Sequence, residues 1–212
     1  MNLIVETVIT GPFQENSFIG WNSNSNEAFL VDPGDDVHLI INLIESKKLV
    51  PKAIINTHAH LDHIGAVQPL KEKYNIPFYL HEKDLATLHA VASYAHVYGF
   101  EKYNTSPDPD KFLKDGEVLS FGQINFKVYH TPGHATGHVV FYDEVNKFVI
   151  NGDVLFNGSF GRVDLPGGDL ETLKNSIFEV MFQLPDDTLV FCGHGPETTI
   201  GKEKKDNYIH QF

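Results

Sequence analysis

The stretch Thr57-His58-Ala59-His60-Leu61-Asp62-His63 constrains this chain more than any other feature. It packs three imidazoles and one carboxylate together directly after the apolar run Ala53-Ile54-Ile55. That run reads as a short buried strand, so the cluster is expected where a strand hands over to a loop. His58 and His60 lie two apart, and in extended backbone their side chains share a face. Asp62 and His63 follow where the chain turns, into a helix expected to begin near Ile64-Gly65. A packed core has no use for four polar groups at this density, because each would need a buried partner. A divalent cation satisfies them together, and imidazole with carboxylate suits zinc, iron or manganese. The competing reading is a histidine-rich surface loop, and the ligand-like spacing argues against it.

A chain of 212 residues fits one large domain or two small ones and can bury a sizeable core. Hydrophobic content of 42% and charged content of 21% are those of a soluble globular protein. A formal charge of −12 lacks the basic face of a nucleic-acid binder, so no nucleic-acid partner is expected. No apolar run approaches the roughly 20 residues that span a bilayer, so no membrane partner is expected either. The start, Met1 to Glu6, lacks the basic region and long apolar core of a signal peptide. Cys192 is the single cysteine, which excludes an internal disulfide and fits a cytoplasmic location.

Along the chain, Leu3 to Ile9, Ser17 to Trp21 and Glu27 to Val31 read as a strand meander, with a turn at Asn22 to Asn26. Asp32-Pro33-Gly34-Asp35-Asp36 breaks it, and Val37 to Lys47 has helical periodicity with Asp35 or Asp36 as N-cap. Ala66 to Tyr74 and Asp84 to Tyr98 read as helices on either side of a strand at Pro77 to Leu80. Tyr103 to Asp110 reads as a long surface loop. This alternation is that of a layered α/β fold. His81, His89 and His96 have no companion pattern and are read as surface or satisfied core histidines. Strand signals return at Val118 to Phe121, Ile124 to Tyr129, Val139 to Tyr142 and Phe148 to Ile150. Gly122-Gln123 and Asp143 to Asn146 are the expected hairpin turns. Asp169 to Leu184 is an expected helix capped by Asp169, and Thr188 to Phe191 is the last strand. No linker or repeat divides the chain, which reads as one domain over residues 1–212 with two strand-rich halves.

Three more polar positions each follow a strand signal: His134 in Thr131-Pro132-Gly133-His134, Asp153 in Asn151-Gly152-Asp153, and His194 in Cys192-Gly193-His194-Gly195-Pro196. Glycine-rich turns at strand ends are where a sheet presents side chains to a cleft. With the first cluster they supply five histidines and two aspartates, enough for two metal ions sharing one carboxylate.

The ordered set THAHLDH, TPGHATGH, NGDVLF and GHGP resembles the metallo-β-lactamase superfamily, over nearly the whole chain. Within it the chain is similar to the compact hydroxyacylglutathione hydrolase (glyoxalase II)-like group. The segment Gly158 to Asp169 fits that group as well, with Val163 where threonine is usual. The resemblance implies an αββα sandwich of two mixed sheets with helices on the outer faces. It also implies that His58, His60 and His134 hold one metal and Asp62, His63 and His194 a second, with Asp153 bridging. The metals it implies are two divalent ions, zinc first, with iron or manganese as alternatives. Longer glyoxalase II enzymes append a helical C-terminal domain that binds glutathione; with only a short tail after Glu197, no such domain is expected here.

A two-metal site activates water near neutral pH for attack on a carbonyl carbon. Asp62 is expected to orient the nucleophile as well as bind metal. A thiolate leaves readily, so the expected substrate is a small acyl thioester. Persulfide dioxygenases share much of this motif set, including a segment like Gly161 to Asp164, and use one iron; that oxidoreductase is the alternative reading. A structural or regulatory metal protein is a third, disfavoured because structural zinc sites are closed and often cysteine-rich. Cys192 is read as core and His138 as a neighbour of the site. Arg162 is expected either to face the cleft and bind a substrate carboxylate or, as the favoured reading, to pair with Asp164 or a ligand carboxylate and hold its loop in shape.

Overall fold

The computed structural model describes residues 3–100, 103, 106–121 and 124–212. The chain divides into two compact units, Met1–Leu113 with Phe121–Ile124, and Lys114–Ser120 with Asn125–Phe212.

In the first unit, β1 (Leu3–Thr10), β2 (Glu15–Asn22) and β3 (Glu27–Val31) form the expected antiparallel meander. Helix α1 (Val37–Ser46) then leads to β4 (Val50–Ile55), which pairs parallel with β3. Two short helices, α2 (Leu61–Ile64) and α3 (Val67–Tyr74), precede β5 (Phe78–His81). Helix α4 (Leu85–Tyr94) precedes β6 (Lys111–Leu113), and the sheet runs β1 to β6 in sequence order. Alternate residues of its central strands, among them Ile19, Leu30, Ile54 and Phe78, pack with Ile40 and Ile44 of α1 and Leu70 of α3. Each such fully buried side chain contributes roughly 1.5–3 kcal/mol, which anchors the strand that delivers the histidine cluster.

The second unit is built on β7 (Val118–Phe121), β8 (Ile124–His130), β9 (Val139–Asp143) and β10 (Phe148–Gly152), with a ribbon of β11 (Leu155–Phe156) and β12 (Ser159–Phe160) beyond. Helix α5 (Leu170–Glu179), β13 (Leu189–Cys192), β14 (Thr198–Thr199) and α6 (Ile200–Asp206) complete it. The sheet order is β14-β13-β10-β9-β8-β7, with β10 and β13 parallel and β8 to β10 an antiparallel meander. Leu173 and Ile177 of α5 pack on Val140, Val149 and Val190. The fold class is the expected one, α/β with two mixed sheets and helices.

Several boundaries differ from the sequence reading for identifiable reasons. Asp36 sits at the α1 N-cap in left-handed backbone (φ 43°) and makes no side-chain cap. Its carboxylate instead accepts from the Gly11 amide at 3.0 Å. The helix after the histidines starts at Leu61, so Asp62 and His63 lie inside it. The expected helix Asp84 to Tyr98 is α4 flanked by two 3-10 turns, Glu82–Asp84 and Ala95–Tyr98. Asp169 does cap α5, accepting from the Thr172 amide, but the helix ends at Glu179 and a 3-10 turn takes Met181–Gln183. Apolar periodicity continues through that break because Met181 and Phe182 are buried too, so the pattern conceals it. Strands β6, β11, β12 and β14 and helix α6 were not expected; the strands are only two or three residues long, and α6 buries just Ile200 and Glu203. The Asp143 to Asn146 turn is closed by the Asp143 carboxylate, which accepts from the Asn146 amide at 2.9 Å. The expected turn at Gly122-Gln123 lies outside the described residues.

Candidate metal centre

In the first unit, β4 ends at Ile55 and the chain runs through Asn56 to His60 before α2 begins. His58 and His63 are fully buried and His60 nearly so. The His58 ring centroid lies 4.7 Å from that of His60 and 4.1 Å from that of His63. The loop is held from outside by buried polar side chains. Asn56 donates from Nδ2 to the His63 carbonyl at 2.7 Å, and Asp84 accepts from the Ala59 amide at 2.7 Å.

Asp32 does most to orient the rings. Its Oδ1 accepts from the Thr57 amide at 2.7 Å and its Oδ2 from the Thr57 hydroxyl at 2.6 Å. The same Oδ2 lies 3.1 Å from His63 Nδ1. A carboxylate only accepts, so Nδ1 of His63 carries the proton and Nε2 carries the lone pair. The Thr57 hydroxyl has spent its one hydrogen on Asp32, so at 3.0 Å it accepts from Nδ1 of His58, whose Nε2 is likewise the donor atom. One carboxylate thus sets the tautomer of two rings, the outer-shell arrangement that prepares imidazole for metal. Donor atoms of Asp32, His58 and His63 also lie within 4.8 Å of one another. Asp32 faces the protonated Nδ1 of His63 and, through Thr57, that of His58, so it acts on these rings as an orienter.

Two further features shape this half. A Cβ on Gly34 would lie 1.9 Å from the Asp62 carbonyl, so glycine there lets the Asp32-Pro33-Gly34 turn pack against α2. Glu15 is fully buried, and its Oε2 accepts from the hydroxyls of Thr10 and Ser17 at 2.8 and 2.9 Å. Burial pushes its carboxyl well above the usual range, which favours the neutral acid 3.8 Å from His63 Nδ1.

In the second unit, Asp153 Oδ2 stands between two histidines, 3.5 Å from His134 Nε2 and 3.6 Å from His194 Nε2. His134 Nδ1 donates to the backbone carbonyl of Arg162 at 2.8 Å, so its Nε2 faces the carboxylate. At that separation either a proton on the ring nitrogen or a cation between the two reconciles an imidazole with a carboxylate oxygen. Two imidazole nitrogens converging on one carboxylate oxygen is a donor set that suits a divalent metal. His138 is not arranged as a ligand: its Nε2 accepts from the Asp153 amide at 3.1 Å, and its Nδ1 meets the Thr131 hydroxyl at 3.2 Å. A Cβ on Gly161 would fall 1.9 Å from the Asp153 carbonyl and 3.0 Å from His134 Nδ1, so only glycine can pass there.

The remaining sequence candidates lie apart from these donors or serve them indirectly. Arg162 grips Asp164 with two hydrogen bonds of 2.7 Å, and the guanidinium holds that carboxyl down at about 2. Cys192 is buried, and burial pushes its thiol up to about 12, so it is no nucleophile. His89 pairs with Asp108 on the surface at 2.6 Å, and His81 accepts from the Lys83 amide at 3.2 Å. Sequence reasoning missed Asp32, Thr57 and Asp84 as orienters. Asp32 carried a usable signal, since it directly follows a buried strand as Asp153 does.

A family model described as the metallo-beta-lactamase superfamily matches residues 10–194. The hydroxyacylglutathione hydrolase GloC of Haemophilus influenzae is 36% identical over 204 residues, covering 96% of each chain. The crystal structure of BLEG-1, a B3 metallo-beta-lactamase, superposes with a TM-score of 0.90 at 39% identity, covering 97% of this chain and 98% of that one. TTHA1623, solved in a di-iron-bound form, gives 0.87 at 41% identity, covering 96% and 98%.

Proposed function

The chain belongs to the metallo-β-lactamase superfamily, and from that premise we propose that it is a metal-dependent hydrolase of small acyl thioesters. His58, His60 and His134 would hold one divalent ion, Asp62, His63 and His194 a second, and Asp153 would bridge the two. Zinc suits these donors, and iron or manganese would take the same set. The observation that carries the reading is the orientation network, in which Asp32 and Thr57 turn Nε2 of His58 and His63 into donor atoms. The Arg162 carbonyl does the same for His134.

Divalent metal bound there supplies Lewis acidity, which lowers the pKa of water to about 7 and draws charge from a carbonyl oxygen. Asp62 accepts a hydrogen bond from the attacking water at its carboxylate and directs the oxygen toward the acyl carbon. Asp32 keeps His58 and His63 from rotating or exchanging tautomers as charge develops. A thiolate departs without a proton, so the site needs no separate general acid. The 36% identity to GloC, a hydroxyacylglutathione hydrolase, supports a thioester substrate. The likeness to BLEG-1 supports a second reading, opening of a β-lactam ring by the same attack on an acyl carbon.

The test assays natively purified protein for metal content, thiol release from acyl thioesters, β-lactam opening, and persulfide-dependent oxygen uptake. Thiol release that chelation abolishes and zinc, manganese or iron restores is the expected result. Turnover by fully demetallated protein would overturn the mechanism. Lactam opening without thioester cleavage would move the assignment to the second reading. One iron per chain with oxygen uptake would make the protein a dioxygenase.

A further inference from the structure

We propose that a cavity within the first unit, with Asp62 on its wall, receives the acyl group of the substrate and selects apolar, uncharged acyl chains. The inference rests on the hydrolase reading only in taking Asp62 to be next to the reacting carbon. The cavity lies among the Thr10 to Phe13 turn between β1 and β2, the Gly34 to Val37 approach to α1, and Leu61 to Pro69, with Phe100 and Tyr103. Three of its residues are aromatic. Phe13 stacks on Phe100 at 6.3 Å and meets Tyr98 edge-on at 5.8 Å, so neighbouring rings hold this exposed ring in place.

Size and charge narrow the occupant. The volume is about 220 Å³. A cavity of roughly 150 Å³ holds benzene, whereas drug-sized ligands need about 300–1,000 Å³. A phenyl or branched short acyl group therefore fits, and a peptide or nucleotide thiol carrier does not. Among the described residues the lining includes Asp35 and Asp62 and neither lysine nor arginine. Asp62 is committed to metal, so Asp35 sets the charge of the wall away from the ions, and an acyl chain ending in carboxylate would lose its water there and meet like charge. Tyr103 adds a neutral phenol, since burial, with the Asp35 carboxylate adding to it, pushes its hydroxyl up to about 12.

Metal-loaded protein is tested with acetyl, phenylacetyl and succinyl thioesters of N-acetylcysteamine. Wild type is expected to favour phenylacetyl over succinyl at least tenfold in kcat/KM. Val37→Trp, which fills the cavity, should lower the phenylacetyl-to-acetyl ratio at least tenfold, and Asp35→Asn should raise the succinyl-to-phenylacetyl ratio severalfold. Phe13→Ala, on an exposed turn, gives a second wall variant if Val37→Trp fails to fold, and it too should erode the phenylacetyl preference. Equal turnover of succinyl and phenylacetyl, or ratios unmoved by the wall variants, would overturn the proposal. The uncleavable S-phenethyl thioether of N-acetylcysteamine separates the two readings by NMR. If wild type binds it, Val37→Trp excludes it and no thioester is cleaved, the cavity assignment stands and the hydrolase reading falls.

Discussion

The two units hold their candidate ligands by different means. In the first, His58, His60, Asp62 and His63 are contiguous, and a side chain, Asp32, orients two of the rings. In the second, His134, Asp153 and His194 come from three separate strand ends, and backbone groups set the contacts: the Arg162 carbonyl, the Asp153 amide and the bare Cα of Gly161. A side-chain orienter can be deleted by one conservative substitution, with little change in packing. A backbone orienter is disturbed only by moving the chain, so its failure should appear as lost stability together with lost metal.

The largest expected effect tests whether the second half is needed at all. Asp153→Ala should leave fewer than two metal equivalents per chain by elemental analysis, with kcat/KM down more than the roughly 10–100-fold typical of outer-shell changes. His194→Ala should remove about one equivalent only. Two full equivalents in Asp153→Ala would end the bridging role. Next comes Asp32→Asn, which preserves shape but replaces one carboxylate oxygen with an NH2 donor, leaving a single acceptor for the Thr57 amide, the Thr57 hydroxyl and His63 Nδ1. Metal affinity, measured by competition with a chromophoric chelator at a temperature where the variant is fully folded, should fall by roughly 10–100-fold, and the demetallated protein should lose about 1–3 kcal/mol for the buried donor left facing an NH2 group. Unchanged affinity would break the side-chain half of the comparison.

Gly161→Ala is the backbone counterpart. Its new methyl must displace the Asp153 carbonyl or the His134 ring, and such overpacking costs about 1–3 kcal/mol. The demetallated protein should melt lower, and a variant that loses affinity but keeps its Tm would contradict the proposed distinction. His138→Ala strands the buried Asp153 amide, a cost of about 1–3 kcal/mol, yet should still bind wild-type metal equivalents when metal is in excess. An equivalent lost at saturation would make His138 a ligand.

Arg162→Lys should do least, because the pair with Asp164 is exposed. The guanidinium lowers the folded carboxyl, so its contribution exists above the ordinary aspartate value and disappears as pH falls through about 2. NMR titration should put the Asp164 midpoint near 2 in wild type and higher in Arg162→Lys. An unmoved midpoint would deny the forked pairing any part in holding the carboxyl down.

The longer strands and the clustering of candidate ligands were legible in the sequence because both depend on local chemistry. Alternating or continuous apolar runs define strands whatever surrounds them, and polar density at His58 to His63 has few explanations besides a ligand. Asp169 was recognisable as a cap for the same reason, since its hydrogen bond reaches only three residues along. What tertiary structure alone decided is which polar groups are spoken for. Asp32 reads as a turn residue and proves to be the orienter of residues 25 and 31 positions away. His138 has the spacing of a ligand and spends its Nε2 on a backbone amide. Asp36 looks like a cap and bonds instead to Gly11. A hydrogen bond is settled by distance and by competition among all partners in reach, and the chain's fold, not the order of its residues, determines which those are.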